Sequence, residues 1–348
     1  MWWQLILTLS VACFAGYILF RLKLPGGMMV GAIVGVAMLS IFTGNAYMPS
    51  SAKVAAQIAA GAFIGCSVEK SDIIRLRHIL RPALILLGGM LGLNIIAGFI
   101  IYAVSPLDLL TAMMCAVPGG MSDIPLIAAD MGADAAKVTV LQFVRMVMGI
   151  GFFPTLIGAF DRRFGSGERY EAVAPVRVES TSQSKNVDFA FTLAAATLGG
   201  LFGKAIGMPA GILVFAMVVV ICLKLACNRV YLPMWVKRAA QLLSGAYVGS
   251  GFTKGDLLEL RYLVVPAVVV IIAYSINCIL TGQLLHRVCG MELKESMLAA
   301  TPAGASDMAL ISSDLGVQSS DLVVLHVIRL VVVVAVFPQV IHIIVNCF

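Results

Sequence analysis

The 348-residue sequence predicts an all-α membrane protein of two inverted repeats, each with five transmembrane helices and one re-entrant or broken helical hairpin. Three observations lead there. The chain is 60% hydrophobic and 12% charged, with mean hydropathy +1.00, far outside the composition of soluble domains. Apolar stretches of about 20 residues, the length a helix needs to cross a bilayer, follow one another almost end to end. The chain also aligns with itself when Met113 is laid on Met297, without a gap over most of its length. This excludes a soluble enzyme and a fibrous or disordered chain.

Taken in order, the apolar spans of the first half are 4–22, 28–47, 53–69, 79–104 and 135–160. The first of them lacks a basic leader and a cleavage site and carries Trp2 and Trp3 at an interface, so it reads as a retained helix. The second half repeats the set at 187–206, 210–228, 234–252, 262–286 and 320–346. Between the fourth and fifth spans, 106–132 and 290–316 each read as two short helices broken at Pro118-Gly119-Gly120 or Pro302-Ala303-Gly304. Proline clashes with a continuing helix there and glycine permits an unwound turn. The division is then 1–160 for the first membrane repeat, 161–187 for a cytoplasmic linker too short to fold alone, and 188–348 for the second.

The halves match residue by residue. Leu24-Pro25-Gly26-Gly27 falls on Met208-Pro209-Ala210-Gly211, and Gln57 with Gly61 and Gly65 falls on Gln241 with Gly245 and Gly249. From Met113 to Arg145, 13 of 33 positions equal those from Met297 to Arg329. Thus the most polar membrane segment repeats best.

Lysine and arginine placement bears on orientation, because cytoplasmic loops are enriched in positive charge. If the broken segments return to the side they entered from, the halves are inverted and both termini lie outside. Of 24 basic residues, 17 are then cytoplasmic and five external, with Arg145 and Arg329 inside the membrane. If the broken segments cross, the balance is 10 against 12, so the inverted arrangement is favoured.

Unwound backbone at membrane depth is tolerated only where protein buries it or a water-filled cavity meets it. Each Pro-Gly break is followed by Ser122-Asp123 or Ser306-Asp307 at the start of a half-helix. These residues either cap free N–H groups or, with Gly119, Gly120 and Gly304, line a ligand site at the positive helix end. Asp130 and Asp314 lie two turns further along the same face. They read either as ion-coupling carboxylates or as helix-end residues at the water interface. Arg145 and Arg329 sit inside the next apolar run, where a charge needs a partner: an aspartate of the hairpin, as a structural lock, or a substrate carboxylate or phosphate. One turn earlier, Gln142 and His326 occupy equivalent places and make the halves chemically unequal. Gly61, Gly65, Gly245 and Gly249, with Gln57 and Gln241, read as close-packing faces.

Other chemistry has no pattern to rest on. The eight cysteines are scattered through apolar segments, and the four histidines show no metal-ligand spacing. Neither a P-loop, a nucleophile elbow nor a dinucleotide fingerprint stands in a suitable context. The expectation is no enzyme, no catalytic residue, no metal and no cofactor.

These residues resemble the membrane AbrB duplication family, whose halves each carry a Pro-Gly-Gly segment, a polar half-helix and a Gln-x-x-Arg helix. Here the pattern reads Pro118-Gly119-Gly120, Asp130, Gly132-Ala133-Asp134 and Gln142-Phe143-Val144-Arg145. The second copy reads Pro302-Ala303-Gly304, Asp314, Gly316 and His326-Val327-Ile328-Arg329, departing by Ala303 and His326. Members are labelled regulators of gene expression or ammonia monooxygenases, and the resemblance implies kinship with the cation/proton antiporter and anion transporter superfamily. No nucleic-acid module and no metal cluster supports the first two labels.

The expectation is a multi-pass protein of the bacterial inner membrane type. It would be a secondary transporter of a small solute, coupled to a proton or sodium ion, with its site between the two Pro-Gly hairpins. The competing expectation is a membrane-embedded sensor that affects gene expression without transport. Its partners would be the lipid bilayer and a small solute or ion, not nucleic acid, with self-association left open.

Overall fold

The computed structural model describes residues 2–22, 26–164, 185–227, 230–302 and 319–348. Among them the secondary structure is helical, with no strand, as expected where lipid offers the backbone no hydrogen bonds and a helix satisfies its own. The first half supplies α1 (Trp2–Arg21), α2 (Gly27–Thr43), α3 (Ser50–Ser67), α4 (Lys70–Val104), α5 (Leu109–Cys115), α6 (Ile124–Met131), α7 (Ala135–Gly151) and α8 (Phe153–Phe164). The second half supplies α9 (Lys185–Ile206), α10 (Gly211–Cys227), α11 (Met234–Ser250), α12 (Lys254–Glu259), α13 (Val264–Cys289), α14 (Leu293–Ala300) and α15 (Ser320–Cys347).

Helices thus fall on each of the ten expected spans and on the two expected pieces of the first hairpin. Of these helices, α1, α9, α15, Ile79–Val104 within α4 and Leu260–Cys289 spanning α13 are long and apolar enough to cross a membrane. A sixth is added if α7 and α8, bent by 42° at their junction, form one span. The chain is therefore a multi-pass membrane protein with five or six such spans among the described residues. α2 stops at Thr43, short of the expected 47, because Gly44 at φ 67° turns the backbone left-handed and its N–H closes on Ser40 O. Residues 165–184 of the expected linker, together with Ala303, Gly304, Ser306, Asp307, Asp314 and Gly316, lie outside the described residues.

Two compact units emerge, and each draws on both halves of the sequence. The first takes residues 1–69, 121–139 and 181–261, and the second takes 70–120, 140–180 and 262–348.

Inside the first unit the packing is reciprocal. α1 lies on α2 and α9 on α10, while α3 lies on α10 and α2 on α11. Glycines make the close approaches possible. A Cβ on Gly65 would lie 2.8 Å from Met217 O, and one on Gly249 would lie 2.8 Å from Ile33 O. Gly65 and Gly249 occupy equivalent positions of the two halves, as do Ile33 and Met217. The loops follow the same rule, since the Tyr47 N–H donates to Thr8 Oγ1 at 3.0 Å and the Tyr231 N–H to Thr192 Oγ1 at 3.2 Å.

Inside the second unit, α4 packs on α13, α5 on α4, α14 on α13 and α15 on α4. Asn94 Nδ2 donates to Met113 O at 3.0 Å, and at the equivalent place Cys278 Sγ donates to Met297 O at 3.5 Å. Gly98 and Gly282 leave room for Met113 and Met297, so the first helix of each hairpin seats against a glycine.

Candidate functional site

The break in the first hairpin is built by proline. α5 runs out at Cys115, Pro118 cannot continue it, and the chain stays unwound until Ile124 starts α6. Ala116 to Gly119 are buried and Gly120 to Ser122 half-buried, so these carbonyls need partners within the protein.

On the side of Gly120, within the second unit, side chains supply them. Gln142 Nε2 donates to Val117 O at 3.1 Å and more distantly to Met114 O. Arg145 Nη1 donates to Val117 O at 3.2 Å and Nη2 to Gly119 O. Tyr274 Oη donates to Ala116 O at 2.7 Å and itself takes a hydrogen bond from Arg145. Arg329 repeats the arrangement at the end of α14, donating to Thr301 O at 2.5 Å and to Ala299 O, while Asn277 Nδ2 reaches Ala300 O. Both arginines thus place a cation where a half-helix ends and its carbonyls carry partial negative charge. The partners shown are backbone carbonyls, where an aspartate of the hairpin was expected. His326 departs from the repeat: the ring is buried and neither nitrogen has a hydrogen-bond partner, whereas the equivalent Gln142 is bonded through its amide nitrogen.

Beyond the break, within the first unit, Ser122 is held through its backbone, its carbonyl accepting from Ser244 Oγ at 3.1 Å. Asp123 stands in the N-cap position of α6 but makes no side-chain capping bond, so the capping use expected of it is not what the backbone geometry delivers. It is 8% exposed. Gln57 is completely buried beside α6, donating from Nε2 to Leu126 O at 3.5 Å and leaving Oε1 unbonded.

Asp130 comes to lie at the end of α6 and pairs with Lys53 at 3.0 Å. Close by in sequence, Asp134 caps α7 by accepting from the Ala136 and Lys137 N–H groups, and Lys137 bridges Asp134 and Glu259. Among the described residues no group of three His, Cys, Asp or Glu side chains is placed to hold a metal ion.

Sequence reasoning passed over Asn94, Tyr274, Asn277 and Ser244. The signal was available for the two asparagines and the tyrosine: each is polar inside a long apolar run, where such a group needs a specific partner. Ser244, in a small-residue stretch, gave no comparable signal.

With the geometry in view, the comparisons with known proteins are consistent in kind. The family model described as "Transition state regulatory protein AbrB" matches residues 1–161 and 164–345. "Uncharacterized protein YhjN" of Bacillus subtilis (strain 168) is 24% identical over 351 residues, covering 95% of this chain and 90% of the relative. "Putative regulator AbrB" of Escherichia coli (strain K12) is 24% identical over 329 residues, covering 94% and 92%. The matched residues take in both Pro-Gly segments and both arginine helices, and the chain belongs to the AbrB family.

Proposed function

We propose that this chain is a secondary active transporter of a small solute in the bacterial inner membrane, coupled to a proton or sodium ion. The observation that carries the reading is the break at Pro118-Gly119-Gly120. Unwound backbone is buried within the protein there, with Arg145 donating to the carbonyl of Gly119 and Ser244 to that of Ser122. A membrane-embedded helix is interrupted at this cost where a polar solute or ion is to be met. Gly119, Gly120, Ser122 and Asp123 line the site, and Gly304, Ser306 and Asp307 supply the second copy. In this reading the chain has ten crossings and two re-entrant hairpins in two inverted halves with both termini outside, an arrangement that the placement of lysine and arginine supports. Alternating access would come from movement of one helical bundle against the other.

The test is solute-screened thermal stability of the purified protein at several pH values and sodium concentrations, followed by flux in proteoliposomes under an imposed ion gradient. A ligand that binds the folded state must raise its stability. A solute that stabilises wild type but not Asp123→Asn, and that moves with the gradient, is the expected result. No response to any solute, sodium or pH speaks for the other reading.

That other reading is a membrane sensor affecting gene expression, favoured by the regulator names of the family and of the Escherichia coli relative. Shortening 165–185 separates the two, since it would abolish signalling in a sensor and leave flux largely intact in a transporter.

A further inference from the structure

Charge is sorted along the first unit. α3 sets the direction: Lys53 near its start pairs with Asp130, and about 20 Å further along the axis the carbonyl of Cys66 accepts from Lys224 of α10. At the Lys53 end, cations meet carboxylates. Lys137 bridges Asp134 and Glu259, and Asp256 closes the capping box of α12 with Thr253.

At the Lys224 end, where α10 runs out and α11 begins, four cations gather from three helices. They are Arg21 in the last turn of α1, Lys224, and Lys237 and Arg238 at the start of α11. Among the described residues the carboxylates at this end are Glu69, just after α3, and Asp188, in the first turn of α9, and each has an interaction of its own. Lys224 is spent on the Cys66 carbonyl, and Lys237 lies over the Phe63 ring of α3 at 4.4 Å.

The two arginines are held differently. Arg21 lies over the Tyr17 ring at 5.6 Å and Arg238 over the Phe20 ring at 4.7 Å, and among the described residues neither guanidinium makes a hydrogen bond or an ion pair. A ring holds the flat face of a guanidinium and leaves its N–H edge open, the edge that pairs with a phosphate or carboxylate. Phe20 and Arg21 are consecutive, so Arg238 is brought from α11 to the end of α1 that carries Arg21.

Apolar surface runs up to this point. Ile18, Tyr17 and Phe14 lie three, four and seven residues before Arg21, on one face of α1, and all three are exposed, Phe14 by 71%. Trp235, three residues before Arg238, is 60% exposed. Since α1 has the length and hydropathy of a membrane span, the face meets lipid along its length and ends in two open guanidiniums with aromatic rings beside them. A dissolved anion would use the guanidiniums alone, whereas a phospholipid uses both features: its phosphate meets the cations and its chains cover the apolar face.

We propose that Arg21 and Arg238 bind the headgroup of an anionic phospholipid whose chains lie along the Phe14–Ile18 face of α1, with Lys224 and Lys237 adding to the attracting field. The inverted arrangement puts all four cations on the cytoplasmic side, where the leaflet carries negative surface potential. The site lies apart from the hairpins and holds for a transporter and a sensor alike.

The test counts bound lipid on full-length protein by native mass spectrometry, using phosphatidylglycerol and phosphatidylcholine with identical chains. Wild type is compared with Arg21→Gln, Arg238→Gln and their combination. The control is Lys204→Gln with Lys254→Gln, in the last turn of α9 and at the start of α12, which belong to the opposite end. The expected result is a preference of wild type for phosphatidylglycerol, weakened roughly fivefold by each single substitution and about 30-fold by the pair, the worth of basic residues at an anionic membrane surface. The control pair should leave the preference unchanged. Equal helical circular dichroism and size-exclusion profiles exclude misfolding, and the single variants carry the test if the double variant does not fold. Equal retention of the two lipids by wild type, undiminished phosphatidylglycerol binding in the arginine variants, or the same loss in the control pair overturns the proposal. Displacement of phosphatidylglycerol by millimolar inorganic phosphate also overturns it, in favour of a dissolved anion.

Discussion

Arg145 and Arg329 occupy equivalent positions of the two halves, and each donates to the equivalent backbone carbonyl of its own half: Val117 for the first and Thr301 for the second. Each guanidinium reaches beyond the last turn of a short helix and fastens the chain that follows. The same pair of residue types therefore fixes both places where a hairpin helix ends.

Removing one lock should be costly. In Arg145→Ala the carbonyls of Val117 and Gly119 lose charge-assisted partners, a loss of roughly 3 kcal/mol from bonds of this kind. Thermal unfolding in detergent should show a clearly lower midpoint. Arg145→Lys should recover only part of it, because an ammonium cannot reproduce the two-pronged fork. Equal midpoints for all three proteins would mean the contacts carry no stability.

Replacing His326 tests the asymmetry between the halves. Its two ring nitrogens are buried without partners, while Gln142 in the equivalent place donates to Met114 and Val117. His326→Gln should place an amide donor near the carbonyls of Leu298 and Thr301 and raise stability by about 1 kcal/mol, the net value of an ordinary hydrogen bond. A marked loss of stability would show that the imidazole is needed as it stands.

Two classes of glycine should respond oppositely to alanine. A Cβ on Gly245 would lie 2.8 Å from both Met29 O and Ala32 Cβ, so Gly245→Ala should force α2 and α11 apart and lower the unfolding midpoint. Gly92 in α4 has nothing within 4 Å, and Gly92→Ala should stabilise by up to about 1 kcal/mol through helix propensity alone. Like effects at the two positions would refute the packing argument.

The ion pair of Lys53 and Asp130 joins side chains that are 15% and 22% exposed, open enough to solvent that it should matter little. Asp130→Asn should change stability by less than about 1 kcal/mol, and by less still in high salt, as exposed pairs do. Unfolding curves at low and high ionic strength measure this. A loss of several times that size would show that Asp130 works in a buried setting.

Composition was enough to establish an all-helical membrane protein, because lipid leaves the backbone few alternatives and apolar run length is read directly from residues. The Pro118-Gly119-Gly120 break was equally legible, since proline and glycine act on their own backbone. What the tertiary structure decided was the use of each polar group. Asp123 and Asp130 stand at the two ends of one short helix and share a residue type, yet one is buried and makes no capping bond while the other pairs with Lys53 from α3. Arg145 finds carbonyls 26 and 28 residues away, and Gln57 meets Leu126 across 69 residues. Partners so distant in sequence are brought together only by packing, and periodicity along one helix carries no record of what the neighbouring helix presents.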